Sequence, residues 1–150
     1  MEIGVIAVRI ILSAVLGGLV GLERQIHGRA AGLRTHILVS VGSGLFMLVS
    51  ILVSSSYGHL GSVDPSRIAA GVVTGIGFLG AGAIIRYESN IKGLTTAASI
   101  WAVAAIGLAA GAGLYAPALI TTVVVVAVLI LSRLEERMEL KGDSKTNKED

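Results

Sequence analysis

Apolar and polar positions fall into long blocks along this chain. Five apolar runs cover about residues 3–22, 35–55, 67–85, 94–113 and 116–132. At ~1.5 Å rise per residue, ~20 helical residues cross the ~30 Å hydrocarbon core of a bilayer. Each run is near that length, with the fifth at the short end. Arg9 interrupts the first run, and Pro117 suits the first turn of the fifth. The pattern predicts an all-α fold, a polytopic membrane helical bundle of five transmembrane helices.

The third run, from Arg67 to Arg86, is the poorest in side chains. No charge lies between its two arginines. Gly71, Gly75, Gly77, Gly80 and Gly82 fall inside it, with Thr74 and Ala69, Ala70, Ala81 and Ala83 as further small residues. In water each helical glycine costs about 1 kcal/mol against alanine. In lipid the backbone has no rival hydrogen-bond partner, so such a helix survives, and its bare surface admits a close neighbour. This run is expected to be the central packing helix. Its segment 75–80 also spells GxGxxG, but a dinucleotide site needs a preceding strand and an acidic residue about twenty positions on. Helical pattern precedes it and no acid stands near position 100, so that reading is set aside. The pairs Gly17/Gly21, Gly71/Gly75 and Gly107/Gly111 repeat a spacing of four that favours close helix contact, within the bundle or in a homodimer.

Composition supports the membrane reading. Of 150 residues 53% are hydrophobic and 15% charged, where soluble domains average about 25% charged. A net charge of +2 carries no nucleic-acid signal. The absence of cysteine excludes disulfides, thiolate-bound zinc and thiol catalysis. Residues 1–8 hold Glu2 and no basic residue, and no small-x-small site follows the first run, so a cleavable signal peptide is not expected.

Charge sets the expected topology. Arg24, Arg29 and Arg34 follow the first run, Arg86 and Lys92 the third, and Arg133, Arg137, Lys141, Lys145 and Lys148 the fifth. These are ten of the twelve basic residues. Basic loops stay cytoplasmic, which predicts an outer amino terminus and an inner carboxyl terminus. Residues 1–134 read as the transmembrane domain and 135–150 as a short charged cytoplasmic tail. Leu131, Leu134 and Met138 share a helix face there, and from Gly142 the polar sequence is expected to be disordered. Gly32-Leu33-Arg34-Thr35 and Gly93-Leu94-Thr95-Thr96 stand at the same offset as Gly21 and Gly82. That spacing suggests a parallel repeat of helices 1–2 and 3–4, although small residues also recur by chance in such chains.

Polar groups at membrane depth are the candidates for chemistry. Arg9 either snorkels to the headgroups or faces the bundle, toward an anion or a helix carboxyl end. Glu23 and Arg24 close the first span. Glu23 is the one acid near the inner boundary besides Glu88, and serves as an ion-pair partner or as a weak candidate for cation or proton binding. Arg34, Thr35 and His36 open the second span, and Thr95 and Thr96 the fourth; the threonines would cap their helices or bond across them. Arg67 and Arg86 bracket the third. His27, His36 and His59 share no ligand spacing, so no metal site is assigned. No paired carboxylates, Ser/His/Asp set or P-loop appears, and neither enzyme activity nor a cofactor is expected.

Gly21-Leu22-Glu23-Arg24, Ala31-Gly32-Leu33-Arg34-Thr35-His36, the glycine pattern of the third run, Gly93-Leu94-Thr95-Thr96-Ala97-Ala98, Trp101 and Ala105-Ile106-Gly107 come in that order. Together these motifs, over about residues 17–113, resemble the MgtC/SapB family of bacterial inner-membrane proteins. The resemblance implies a five-span domain with a cytoplasmic carboxyl terminus. It also implies a link to growth in low magnesium and, in some pathogens, to survival in host phagocytes. Members were named for magnesium transport, but some look like regulators that restrain the F-type ATP synthase. Many carry a soluble carboxyl-terminal domain resembling ACT domains, which these residues do not include. The virulence members have Asn where this chain has Thr95, which puts their mechanism in doubt here.

Three readings follow. One is a regulator acting by helix contact with itself or another membrane complex. The second is a transporter of Mg²⁺ or a coupled ion, which a single depth acid beside Arg24 serves poorly, because Mg²⁺ wants carboxylate oxygens. The third is structural: Glu23, Arg24, Arg34 and Arg86 as one inner-face ion network.

Overall fold

The computed structural model describes residues 1–60, 63–87 and 90–146, with side chains through 131 apart from those of Leu60, Tyr87 and Asn90. The apolar runs fold as α1 (Ile3–Ile26), α2 (Leu33–Tyr57), α3 (Ser66–Ala83), α4 (Leu94–Ala112) and α5 (Tyr115–Thr146). Helices α1 to α4 are each long and apolar enough to cross a membrane, and α5 opens with a 17-residue apolar stretch, Tyr115–Leu131. That stretch is at the lower limit for a span. The chain is an all-α membrane bundle with one small addition. Strands β1 (Ile85–Tyr87) and β2 (Asn90–Lys92) pair antiparallel with Arg86 opposite Ile91 and join α3 to α4. The block pattern gave no sign of this hairpin, because three-residue strands leave no periodicity.

α5 runs past Gly142 to Thr146, where the sequence led us to expect disorder. Each further residue of an established helix fixes few dihedrals per hydrogen bond, and one glycine costs only about 1 kcal/mol. Residues 147–150, Glu88, and the side chains of Leu134 and Met138 lie outside the described residues.

The centre of the bundle is α4, which packs on α1, α2, α3 and α5. Val103, Ile106 and Ala110 of α4 meet Leu16 and Val20 of α1 and Ala118 and Leu129 of α5. Ile100 and Ala104 meet Ile76 of α3 and Ala31. The expectation that the third run would be central is therefore overturned. Ile76 is the one buried residue of α3. A Cβ placed on Gly71, Gly75, Gly77 or Gly82 meets nothing within 4 Å, and one on Gly80 meets only Ala97. The reason is angular. At 100° per residue Gly71 and Gly75 lie on one side of α3 and Gly77 nearly opposite, so no single neighbour can use them all.

Candidate functional site

Two features stand out: a polar cluster buried where α1, α2 and α4 cross, and an open surface on α3. The crossing is built from small residues. A Cβ on Gly17 would lie 2.8 Å from the His36 carbonyl, and one on Gly21 2.8 Å from the Cβ of His36. Gly107 lies against the backbone of Ser40, and Gly111 against that of Gly44. The structure thus sets Gly17 and Gly21 of α1 and Gly107 and Gly111 of α4 against α2. Ser40 and Gly44, the α2 share of this contact, were not singled out from sequence, although they repeat the spacing of four. The Ser40 hydroxyl donates to the Ser13 carbonyl at 2.7 Å, tying α2 to α1.

At one end of the crossing sit Glu23, Arg24, His36, Thr96 and Ser99, all buried. Arg24 Nη2 donates to Thr96 Oγ1 at 3.0 Å, joining α1 to α4. Ser99 Oγ donates to the Thr96 carbonyl at 2.8 Å. His36 joins α2 to α4: its Nδ1 is 2.8 Å from the Gly32 carbonyl and its Nε2 3.0 Å from Ser99 Oγ. A carbonyl only accepts, so Nδ1 carries a hydrogen. In the neutral ring Nε2 is then an acceptor and competes with the Thr96 carbonyl for the one hydroxyl hydrogen of Ser99. Glu23 Oε1 lies 3.1 Å from Nδ1 of His27 one turn on. Its Oε2 is buried with no hydrogen-bond partner among the described residues.

The proposed four-residue ion network is not assembled. Glu23 turns to His27 and Arg24 to Thr96, while Arg34 and Arg86 are exposed. Adjacent helical residues point about 100° apart, so Glu23 and Arg24 face different neighbours. Thr35, Arg67 and Thr95 are exposed as well. Threonine capping is also corrected. The N-caps of α2 and α4 are Gly32 and Gly93, without side-chain cap bonds. Instead the Leu33 N–H donates to Gln25 Oε1 of α1 at 3.2 Å, a tertiary cap that local sequence cannot announce. Gly93 has φ +92°, and a Cβ there would strike the Ala83 carbonyl, so the turn into α4 needs glycine.

Arg9 faces the bundle. Its Nη1 donates to the Gly111 carbonyl at 2.9 Å, at the carboxyl end of α4, where the helix dipole favours a cation. Gly113, with φ +84°, leaves room for that guanidinium: a Cβ would lie 2.7 Å from Nη2. Among the described residues no three His, Asp or Glu gather to hold a metal ion.

The open surface has two sides. Between α2 and α3 runs an apolar groove of about 660 Å³, bounded by Leu38, Gly42 and Phe46 on α2 and Gly71, Gly75 and Leu79 on α3. On the opposite side of α3, Ala70, Thr74, Gly77 and Ala81 are exposed. The Thr74 hydroxyl donates to the Ala70 carbonyl at 3.1 Å, so this face presents no unpaired hydroxyl.

Comparison with known proteins adds sequence likeness to this geometry. The MgtC family profile matches residues 10–138. A protein of Escherichia coli strain K12, named "Putative magnesium transporter YhiD", is 55% identical over 111 residues, 72% of this chain and 51% of that one. Protein MgtC of Brucella abortus is 50% identical over 118 residues, 79% of this chain and 47% of its own. Protein MgtC of Salmonella typhimurium is 44% identical over 124 residues, 83% and 51%. The chain spans about half the length of these curated relatives. No solved structure matches it.

Proposed function

The chain belongs to the MgtC family, and on that premise we propose a regulator linked to magnesium homeostasis in the bacterial inner membrane, acting by helix contact with another membrane complex. The ten clustered cations support a cytoplasmic location for its basic end. The observation that carries this reading is the outward face of α3. Ala70, Thr74, Gly77 and Ala81 form a small, exposed, apolar strip on a helix of membrane-spanning length. Small residues at spacings of three and four let a second helix approach to backbone contact. The polar cluster fits a rigid support for the helix that α3 packs on, because the Arg24–Thr96 and His36–Ser99 bonds tie α1 and α2 to α4. The F-type ATP synthase is the partner the family resemblance suggests.

Co-reconstitution with the F-type ATP synthase in sealed vesicles tests this. The chain should lower ATP-driven proton pumping, and Gly77→Leu with Ala81→Leu should relieve the effect. Pumping that ignores the chain at equimolar amounts would refute that partner.

The buried Oε2 of Glu23, without a hydrogen-bond partner among the described residues, favours a second reading, passage of Mg²⁺ or a coupled ion. Mg²⁺ sheds water reluctantly and prefers several oxygens, while the same cluster holds buried Arg24. Vesicles loaded with a Mg²⁺-sensitive dye separate the two: flux above empty vesicles that vanishes in Glu23→Gln would favour transport.

A further inference from the structure

We propose that the groove between α2 and α3 binds one anionic phospholipid, an acyl chain lying in the groove and the phosphate held at the Arg34 mouth. This rests on the membrane placement of the chain and is independent of the regulatory reading.

The groove's wall is almost wholly carbon, and it stays open at Gly71 and Gly75, where a Cβ would meet nothing within 4 Å. From Ile68 to Leu79 it follows α3 for roughly 16 Å at ~1.5 Å per residue, close to half of a ~30 Å hydrocarbon core. That is the depth of one leaflet. Water gains nothing from such a wall, and an acyl chain does.

The two mouths differ in charge. Arg34 is exposed and lies one turn before Leu38 on the same face of α2. The Cα–Cβ bond tilts toward a helix's amino end, so this side chain reaches away from the groove toward headgroup depth. Arg86 and Lys92, both exposed, stand on the hairpin that leaves the same end of α3. At the far mouth Arg67 lies one turn before Gly71, with an acid of opposite charge, Asp64, three residues before it. The Asp64 carboxyl is held below its usual range chiefly by the hydrogen bonds from the Ser66 hydroxyl and N–H, so it stays negative beside this mouth. Basic pockets between spans attract anionic headgroups, and among the described residues no acid pairs with Arg34, Arg86 or Lys92 at this mouth.

A second copy of the chain fits the groove less well. A two-fold axis along the membrane normal would set each of these arginines against its own twin. A phosphate answers the charge that a twin repels.

The test is retention of lipid by the purified full chain. The protein is equilibrated in mild detergent with equal phosphatidylglycerol and phosphatidylcholine, then read by native mass spectrometry. The parent should keep one phosphatidylglycerol per chain, with a preference on the order of tenfold over phosphatidylcholine. Gly75→Leu, and separately Gly71→Leu, should displace both lipids by filling the groove. Arg34→Gln should abolish the preference while leaving a chain bound. Phe78→Ala, on α3 but outside the groove, should change nothing. Equal retention of the two lipids in the parent overturns the proposal, as does retention unaffected by both leucine variants. So does a lipid-free dimer that Gly75→Leu splits, which would give the groove to a second copy.

Discussion

Gly107→Ala is the sharpest perturbation of the core. The added Cβ would stand within 3.0 Å of the oxygen, carbonyl carbon and Cα of Ser40, where ordinary contact begins at 3.4 Å. These are backbone atoms of a helix and cannot swing aside, so α2 and α4 must separate. Gly111 against Gly44, one turn along, forbids a simple tilt. Overpacking a fitted interior costs about 1–3 kcal/mol. Separation also strains the His36–Ser99 bond, and interhelical hydrogen bonds in membranes average about 0.6 kcal/mol each. Alanine returns at most about 1 kcal/mol of helix propensity. We expect a net loss of about 2 kcal/mol. Gly75→Ala, with open space at its Cβ, should be neutral or stabilising by up to about 1 kcal/mol. Reversible unfolding in mixed micelles, followed by circular dichroism, reads both. Equal stability of Gly107→Ala and parent, or an equal loss in Gly75→Ala, would refute the packing argument.

Three further expectations are independent. Arg9→Gln removes the cation from the carboxyl end of α4 and should cost about 1 kcal/mol in the same titration, with Arg9→Lys recovering part of it. Thr96→Val takes the hydroxyl from buried Arg24 and should cost about 1–3 kcal/mol, whereas Thr95→Val, at an exposed site, should cost under about 0.5 kcal/mol. The Asp64 carboxylate accepts the Ser66 N–H at 2.8 Å and the Ser66 hydroxyl at 2.9 Å, so its pKa is lowered by folding. A lowered carboxyl pKa stabilises in full above the unfolded value, near 3.8, and the stabilisation fades as pH falls through the folded value. Amide exchange at Arg67 and Ile68, corrected for its intrinsic pH dependence, should therefore show flat protection from pH 5 to 7 and a loss of protection below about pH 3.8 that Asp64→Asn abolishes.

Long apolar runs were enough to read the helices and their order, because burial in lipid imposes length and composition on each span. Gly17/Gly21 and Gly107/Gly111 were legible as contact pairs for the same reason. What could not be read was which helix would sit at the centre. Glycine permits close approach without compelling it, and only the partner surface decides. Gly107 meets a matching Ser40–Gly44 step on α2, while Gly75 meets open space. Threonines 95 and 96 look alike in sequence, yet the 100° between them sends one to solvent or lipid and the other onto Arg24. Ser99 escaped notice because a lone serine in an apolar run has no pattern until His36 is placed beside it. Arg9 showed the opposite: both of its readings were available, and only the end of α4 chose between them.

The account turns on α3 being an outlying helix with a bare outer strip, held against a locked α1–α2–α4 core. Spin labels on single cysteines, in a chain with none of its own, measure this through oxygen accessibility in bilayers. Labels at Ala70, Gly77 and Ala81 should read high, and labels at Val103 and Ala110 of α4 low. Low accessibility along α3 in the isolated chain, with high values on α4, would contradict it.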